Sequence, residues 1–208
     1  MITLDVTEAV NPRLMEFLAA KVGPEWRRDL LGAAAASLAE TVRAHLRGLS
    51  RHATAERLGA TPTGFHAEGA ARVTHSATPD EATVRVPVPG IARALRDVEI
   101  RPVRARALTI PLAAEAYARR AGELRRLGWT IFRPLKKGEK KGGERRDVLM
   151  GRPPGGGEAK PLYSLVTRVL QRRDPTLLPD ARTVTRAVNS ALTRAVKAGL
   201  AAGRKETA

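Results

Sequence analysis

Few residues in this chain have the types and spacing that catalytic or metal chemistry requires. His66 and Glu68 are separated by one residue, which is the spacing in the first half of the zinc site of nucleobase deaminases. The second half of such a site needs a Cys-x-x-Cys pair, and the chain contains no cysteine. The lack of cysteine also excludes disulfides, thiolate metal sites and cysteine nucleophiles. We therefore expect no zinc chemistry from this motif.

The remaining histidines and acids do not form a recognisable constellation. His45 and His52 could share a helix face, but no carboxylate stands at metal-ligand spacing beside them. The acids that come close in sequence fall in a turn or at a strand start, where they are usually solvated: Asp80 with Glu81, and Asp97 with Glu99. Neither a Gly-x-Ser-x-Gly motif nor a glycine-rich loop followed by Gly-Lys-Ser/Thr is present. The sequence predicts a protein that is not an enzyme and that uses no metal or cofactor.

Positive charge is concentrated in the second half of the chain. The 208 residues carry 37 Lys and Arg against 21 Asp and Glu, for a net charge of +16. Residues 1 to 100 hold 12 basic and 12 acidic residues, whereas residues 101 to 208 hold 25 and 9. This asymmetry favours a basic face that meets an anionic partner, with nucleic acid as the first candidate. A solvated basic surface without a partner is the alternative.

One glycine-rich loop within 134–160 carries much of this charge. Its basic residues are Lys136, Lys137, Lys140, Lys141, Arg145 and Arg146. Contacts to phosphate need no fixed geometry, so lysines and arginines between glycines make them well. No recognition helix or aromatic stacking platform accompanies the loop. We therefore predict that it faces a partner or duplex DNA through charge alone.

The amino-acid composition and the apolar periodicity predict an α+β fold, whose helices and strands must position these residues. Only 3% of the residues are aromatic, so the core must be built from Ala, Leu and Val, which suits helices packed closely on a small sheet. A long amphipathic helix from Glu25 to about Ser50 and a C-terminal helix over 180–202, capped by Asp180, follow from the apolar periodicity. We predict a single domain over 1–208, mainly helical over 1–72, with a mainly antiparallel sheet over 73–169.

The strand predictions follow from alternating apolar residues and from prolines. Residues 73–78 and 81–88 form a hairpin, in which Pro87 indicates an edge strand. Leu108–Pro111 is predicted as a buried strand that stops at its proline and turns into a short helix over 113–121. Residues 129–133 and 147–150 form an extended basic hairpin, and residues 162–169 form the last strand. The acidic start and the lack of a long apolar run predict a soluble protein without a secretory signal.

Five short segments form a recognisable series along the second half of the chain: Ala107-Leu-Thr-Ile-Pro111, Glu115-Ala-Tyr117, Arg119-Arg-Ala-Gly-Glu123, Leu162-Tyr-Ser-Leu-Val166 and Asp174-Pro-x-x-Leu-Pro179 before the closing helix. This series resembles the small virion-morphogenesis proteins of tailed phages and prophages, most closely the Mu-like tail-completion type. One departure is Ala118, where the resemblance leads us to expect glycine.

The resemblance implies a structural subunit that forms a ring in the head–tail neck, as a tail-completion or connector protein. Its partners would be further copies of itself, portal-side and tail-tube proteins, and passing duplex DNA, with no membrane. Its location would be the virion, and the host cytoplasm during assembly. A tail terminator ring is the alternative within this class, and a non-specific DNA-binding protein is the alternative from another. The residues that we predict to pack subunits are Trp26, Leu30, Leu38, Leu108, Ile110, Tyr117 and Tyr163.

Overall fold

The computed structural model describes residues 1–10, 12–49, 53–135 and 146–206. The α-helices in these ranges are α1 (Pro12–Lys21), α2 (Pro24–Gly48), α3 (Ala53–Leu58), α4 (Phe65–Ala71), α5 (Pro89–Ala94), α6 (Ala121–Arg126) and α7 (Ala181–Glu206). The strands are β1 (Ile2–Asp5), β2 (Thr74–Ala77), β3 (Ala82–Val86), β4 (Val98–Ile100), β5 (Leu108–Pro111), β6 (Thr130–Phe132), β7 (Val148–Arg152), β8 (Lys160–Val166) and β9 (Val169–Gln171). The predicted α+β class is confirmed.

The chain divides into two compact units, whereas the sequence analysis predicted a single domain. The helical unit comprises Met1–Ser50, Gly64–Asp97 and Arg172–Ala208. The sheet unit comprises Arg51–Thr63 and Val98–Gln171. Each unit has a hydrophobic core of its own. The sequence of the sheet unit has a net charge of +11 and that of the helical unit +5, because Arg172–Ala208 returns basic residues to the helical unit.

In the helical unit, α2 packs against α7. The apolar stripe of α2 is buried as its periodicity predicts, and three of its alanines are fully buried, which allows the neighbouring backbone to come close. Val188 and Leu192 of α7 complete the contact. The long first helix and the C-terminal helix are therefore confirmed as predicted elements, although α7 is assigned to Glu206 rather than to residue 202.

The hairpin of β2 and β3 is confirmed, but the prediction of an edge strand at Pro87 is wrong. β1 pairs antiparallel with β3 on the side away from β2, which makes β3 the central strand of a three-stranded sheet. Pro87 follows the last residue of β3, so its missing N–H interrupts no ladder. Burial on both faces of β3 leaves Thr83 only 5% exposed, where its hydroxyl hydrogen-bonds that of Ser76 at 3.0 Å.

Asp180 caps α7 as predicted. Its carboxylate accepts hydrogen bonds from the backbone N–H and the hydroxyl of Thr183, both at 2.9 Å. These bonds hold the pKa of Asp180 below its ordinary value, because they stabilise the ionised form. A carboxylate with a lowered pKa stabilises the fold above its unfolded-state pKa, and the contribution disappears as the pH falls through the folded-state pKa.

Asp180→Asn is therefore expected to destabilise the chain at neutral pH and to have a smaller effect in acid. Asparagine keeps the cap but cannot ionise. The unfolding midpoints of the two proteins should converge between about pH 5 and pH 2, which urea titrations at several pH values would measure. A midpoint difference that stays constant over this range would contradict the assignment.

In the sheet unit, β5, β8, β7 and β6 form an antiparallel sheet in that order, while β4 and β9 form a separate pair. Leu124, Leu162 and Tyr163 are fully buried in its core. The basic hairpin is confirmed, since β6 pairs with β7. The predicted strand over 162–169 is wrong in extent, because β8 ends at Val166 and β9 pairs with a different strand.

The predicted helix over 113–121 is also wrong. Residues Ala114–Ala116 form only a 3-10 turn, and α6 begins at Ala121. The interruption has a local cause, since Ala118 has a φ of 56° and Arg120 is extended. A left-handed residue cannot continue a right-handed helix. Leu108–Pro111 is a strand as predicted, but it is half-buried rather than buried, and Thr109 is exposed.

Ala118→Gly is expected to raise the free energy of unfolding by up to about 1 kcal/mol. The left-handed conformation costs an alanine roughly 1–2 kcal/mol, and the greater unfolded-state entropy of glycine offsets about 0.4–1 kcal/mol of the gain. Ala113→Gly is the matched control, because its φ of −137° is ordinary for alanine and the substitution should cost about 0.5–1 kcal/mol. Equal effects of the two substitutions in urea denaturation would contradict the argument.

Candidate functional site

Four strand ends meet at one end of the sheet of β5, β8, β7 and β6. Antiparallel pairing places the start of β5 beside the end of β8, because Leu108 pairs with Val166. The start of β7 is beside the same end of β8, since Val148 pairs with Ser164. The end of β6 is there too, because Phe132 pairs with Met150. Side chains that follow or precede these strands are therefore brought together.

Arginines occupy most of these positions. Arg106 precedes β5, Arg133 follows β6, and Arg168 follows β8, while Asp147 precedes β7. We call these four residues the basic end of the sheet. They line one open cavity of about 370 Å³, whose remaining lining residues are Ala107, Leu165, Val166 and Thr167. Three arginines and one aspartate thus line the same space.

The two sides of this cavity differ in how its arginines are held. Arg133 donates from Nε to the carbonyl oxygen of Arg146 and from Nη2 to Asp147, both at 2.7 Å. The backbone of Asp147 is itself fixed, because its carbonyl accepts a bond from the N–H of Leu165 at 2.9 Å. Arg106 and Arg168 are exposed, and neither has an ion-pair or hydrogen-bond partner within the described ranges. These two side chains can therefore receive an anion.

The charge of the surrounding unit reinforces that of the cavity. The sequence of the sheet unit contains 19 Lys and Arg against 8 Asp and Glu, for a net charge of +11. Arg101 and Arg104 lie exposed in the segment between β4 and β5 that leads to Arg106. Clustered charges of one sign raise the local concentration of an oppositely charged ligand. The chemistry that these guanidinium groups can supply is the binding of an anion.

Comparisons with known proteins leave the family open. No family model, curated protein or solved structure matches the chain. The resemblance to tail-completion proteins therefore stays a prediction from the quoted residues.

The opposite end of the same sheet carries a polar contact that is internally balanced. Lys160 donates to Glu115 at 2.5 Å, and its ammonium lies 5.6 Å from the ring centroid of Trp129. The hydrogen bond from Lys160 lowers the pKa of the Glu115 carboxyl. The charges of Lys160 and Glu115 therefore offset each other, whereas Arg152 lies exposed at this end of the sheet.

The predicted basic loop is described only at its edges. Lys136, Lys137, Lys140, Lys141 and Arg145 lie outside the described residues. Arg146 is exposed, and its N–H donates to the carbonyl of Pro134 at 2.9 Å. The residues on both sides of the loop thus belong to the end of the sheet that holds Arg133 and Asp147.

The predicted subunit-packing residues divide into two groups. Leu30, Leu38 and Tyr163 are at most 1% exposed and belong to the cores of their own units, which leaves no surface on them for a neighbouring subunit. The hydroxyl of Tyr163 donates to the carbonyl of Arg119 at 2.9 Å, and burial raises its pKa. The half-buried residues, which keep some exposed surface, are Trp26, Leu108, Ile110 and Tyr117.

The residues first considered for chemistry make structural contacts. Nδ1 of His66 lies 3.1 Å from the carbonyl of Leu49, and Glu68 pairs with Arg72 at 2.8 Å. Nε2 of His45 lies 2.9 Å from the carbonyl of Thr176, whereas His52 is outside the described residues. Asp97 accepts the N–H of Arg173 at 2.8 Å, Glu99 pairs with Arg101, and Asp80 is 3.6 Å from Arg27.

The described residues contain neither a candidate metal centre nor a candidate membrane span. No group of three or more His, Asp or Glu side chains in the described ranges could hold a metal ion. In the same ranges, no helix is both long enough and apolar enough to cross a membrane.

Sequence reasoning missed the basic end of the sheet. It did not combine Arg106, Arg133 and Arg168, since their proximity depends on strand order and register. A usable signal was present, because each of the three directly precedes or follows a strand or lies one residue away. The order of the strands, with β8 between β5 and β7, was the missing information.

Proposed function

We propose that this chain is a structural subunit of the head–tail neck of a tailed phage, assembling as a ring through which duplex DNA passes. The observation that carries the proposal is the basic end of the sheet, where Arg106, Arg133 and Arg168 line one cavity. A ring around DNA needs a surface that contacts the phosphate backbone of a duplex whatever its base sequence. Such a surface is built from arginine and lysine without base-reading elements.

The segments that carry the family resemblance lend further support. Ala107–Pro111 and Leu162–Val166 are far apart in sequence, yet β5 and β8 are hydrogen-bonded neighbours. Tyr163 of the second segment bonds the backbone of Arg119, which opens a third segment. The resemblance therefore involves residues that contact one another, as expected of a shared structural unit rather than of scattered chance matches.

Two other functions share part of this support. A tail terminator ring would present the same kind of subunit at a different level of the particle. A non-specific DNA-binding protein would need only the basic end of the sheet and the net charge of +11 in the sheet unit. The three functions differ in whether the chain is found in particles and at which level.

Mass spectrometry of gradient-purified particles from the producing strain tests the proposal. The chain should be present at a low copy number, similar to that of the portal protein, and cryo-electron microscopy would then assign its level. Assignment to the end of the tail tube would establish the terminator role instead. Absence from particles together with retention on DNA-cellulose would overturn the neck role in favour of a DNA-binding protein.

Neutralising the basic loop is expected to impair particle completion. In this variant Lys136, Lys137, Lys140 and Lys141 are all replaced by glutamine, which removes four charges that could meet DNA or an acidic neighbour. The matched control replaces four exposed arginines of the helical unit: Arg28, Arg47, Arg93 and Arg96. Infectious yield should fall for the loop variant and not for the control. An unchanged yield for the loop variant would contradict the proposed contact.

A further inference from the structure

We propose that the cavity at the basic end of the sheet is a phosphate-binding site for the backbone of duplex DNA, with Arg106 and Arg168 as the binding residues. This inference deepens the proposed function and rests on it for the choice of duplex DNA as the polymer. The site itself uses only residues of one sheet unit and does not require a ring.

The register of the sheet brings the two arginines together. Leu108 pairs with Val166 at the end of the ladder, so Arg106 and Arg168 lie two residues beyond a paired position on adjacent strands. Both line the same cavity, together with the half-buried Leu165 and Val166. Its volume of about 370 Å³ falls at the lower end of the range of ligand cavities, roughly 300–1,000 Å³. A small anion such as one phosphate group suits this space.

Arg133 lines the cavity, but its Nε and Nη2 are already engaged in hydrogen bonds within the protein. Its Nε and Nη2 already donate to the Arg146 carbonyl and to the Asp147 carboxylate. Asp147 offsets one of the three positive charges, so the cavity retains a net charge of +2 from its ionised side chains. That charge resides on Arg106 and Arg168, whose side chains are exposed. Arg133 and Asp147 are therefore positioning residues that define one wall of the site.

The chemistry of the two arginines favours a phosphate. A guanidinium presents a planar fork of donors that can bond two phosphate oxygens at once. Arg104 continues the positive charge along the segment that leads to the cavity, whereas the charge of Arg101 is offset by Glu99. Positive charge beyond the cavity suits a polymer with regularly repeated negative charges. The site is built from strand ends, and it places no helix that could enter a groove and read bases. Binding should therefore depend on salt and not on sequence.

The test measures binding of the full chain to fluorescently labelled 20-base-pair duplexes of two unrelated sequences by anisotropy, at several salt concentrations. Arg106→Gln/Arg168→Gln removes the two binding residues. Arg126→Gln/Arg152→Gln is the matched control, because it removes two exposed arginines at the opposite end of the sheet, where Arg152 ends β7 and Arg126 ends the helix that precedes β6. Circular dichroism melting of all three proteins checks that the substitutions leave the fold intact.

The expected result is a loss of affinity for duplex DNA in the variant Arg106→Gln/Arg168→Gln and not in the control variant. Each phosphate contact contributes about 0.9 to the slope of log K against log salt concentration, so this slope should become shallower by about 2. Affinity should fall roughly tenfold at low salt, equally for both sequences. The conservative variant Arg106→Lys/Arg168→Lys should keep the salt slope, because it keeps both charges.

Three results would overturn the inference. Equal losses in the cavity variant and the control would show that diffuse charge, rather than this cavity, binds DNA. Failure of the unaltered chain to bind duplex DNA would favour an acidic protein surface as the occupant. Displacement from DNA by a few millimolar inorganic phosphate, with no difference between the two variants, would indicate counterion competition only. By contrast, absence of the chain from particles would overturn the neck role while leaving DNA binding by the purified chain unaffected.

Discussion

Replacing Leu38 with alanine is expected to lower the free energy of unfolding by about 2–5 kcal/mol. Leu38 is fully buried in the middle of α2, within the core of the helical unit. The substitution removes apolar contacts and leaves a cavity that the surrounding helices can fill only in part. Urea denaturation followed by circular dichroism would measure the change.

Two control variants separate packing from helix propensity. Leu38→Met conserves most of the side-chain volume and should cost less than about 1.5 kcal/mol. Arg28→Ala lies at an exposed position of α2 and should change stability by no more than about 0.5 kcal/mol.

The same experiment distinguishes a core role for Leu38 from the predicted role in subunit packing. A core residue gives a loss of stability that is independent of protein concentration. A residue between subunits would give a loss that varies with concentration, because folding would then be linked to association. A concentration-dependent loss would therefore contradict the assignment of Leu38 to the core of one chain.

The helices were the most predictable part of this fold. Their signals are local, because apolar residues at spacings of three and four define α2 whatever the rest of the chain does. The cap of α7 is equally local, since Asp180 bonds a residue only three positions away. The wrong helix prediction over 113–121 also has a local cause, but the amino-acid composition does not reveal it. An alanine-rich segment favours a helix, whereas Ala118 adopts a positive φ.

The sheets and the candidate site were less predictable because they depend on pairing between distant segments. β1 is short, and its partner β3 lies far along the chain, so nothing near Ile2–Asp5 reveals that β3 is a central strand. Likewise, the cavity exists because β8 lies between β5 and β7. The charge counts of the two halves predicted a basic face in the second half of the chain. They could not predict that Arg106 and Arg168 line one cavity.

Gly151→Ala is expected to destabilise the sheet unit by about 1–3 kcal/mol through overpacking. A Cβ at this position would lie 2.1 Å from Cδ1 and 2.8 Å from Cγ of Leu162, and 3.1 Å from Cε3 of Trp129. Leu162 is fully buried, so its side chain cannot move aside without disturbing the core. Gly122→Ala is the matched control, since a Cβ there meets nothing within 4 Å and a helical alanine should stabilise by up to about 1 kcal/mol.

A double-mutant cycle with Leu162→Ala tests this cause directly. Leu162→Ala alone should cost about 2–5 kcal/mol, because it empties part of the core. Combined with Gly151→Ala, it removes the atoms that clash, and the new Cβ fills part of the space that leucine leaves. The double variant should therefore be less destabilised than the sum of the single losses by at least about 1 kcal/mol. Additive losses in urea denaturation would show instead that glycine is needed at 151 for its backbone and not for the room it leaves beside Leu162.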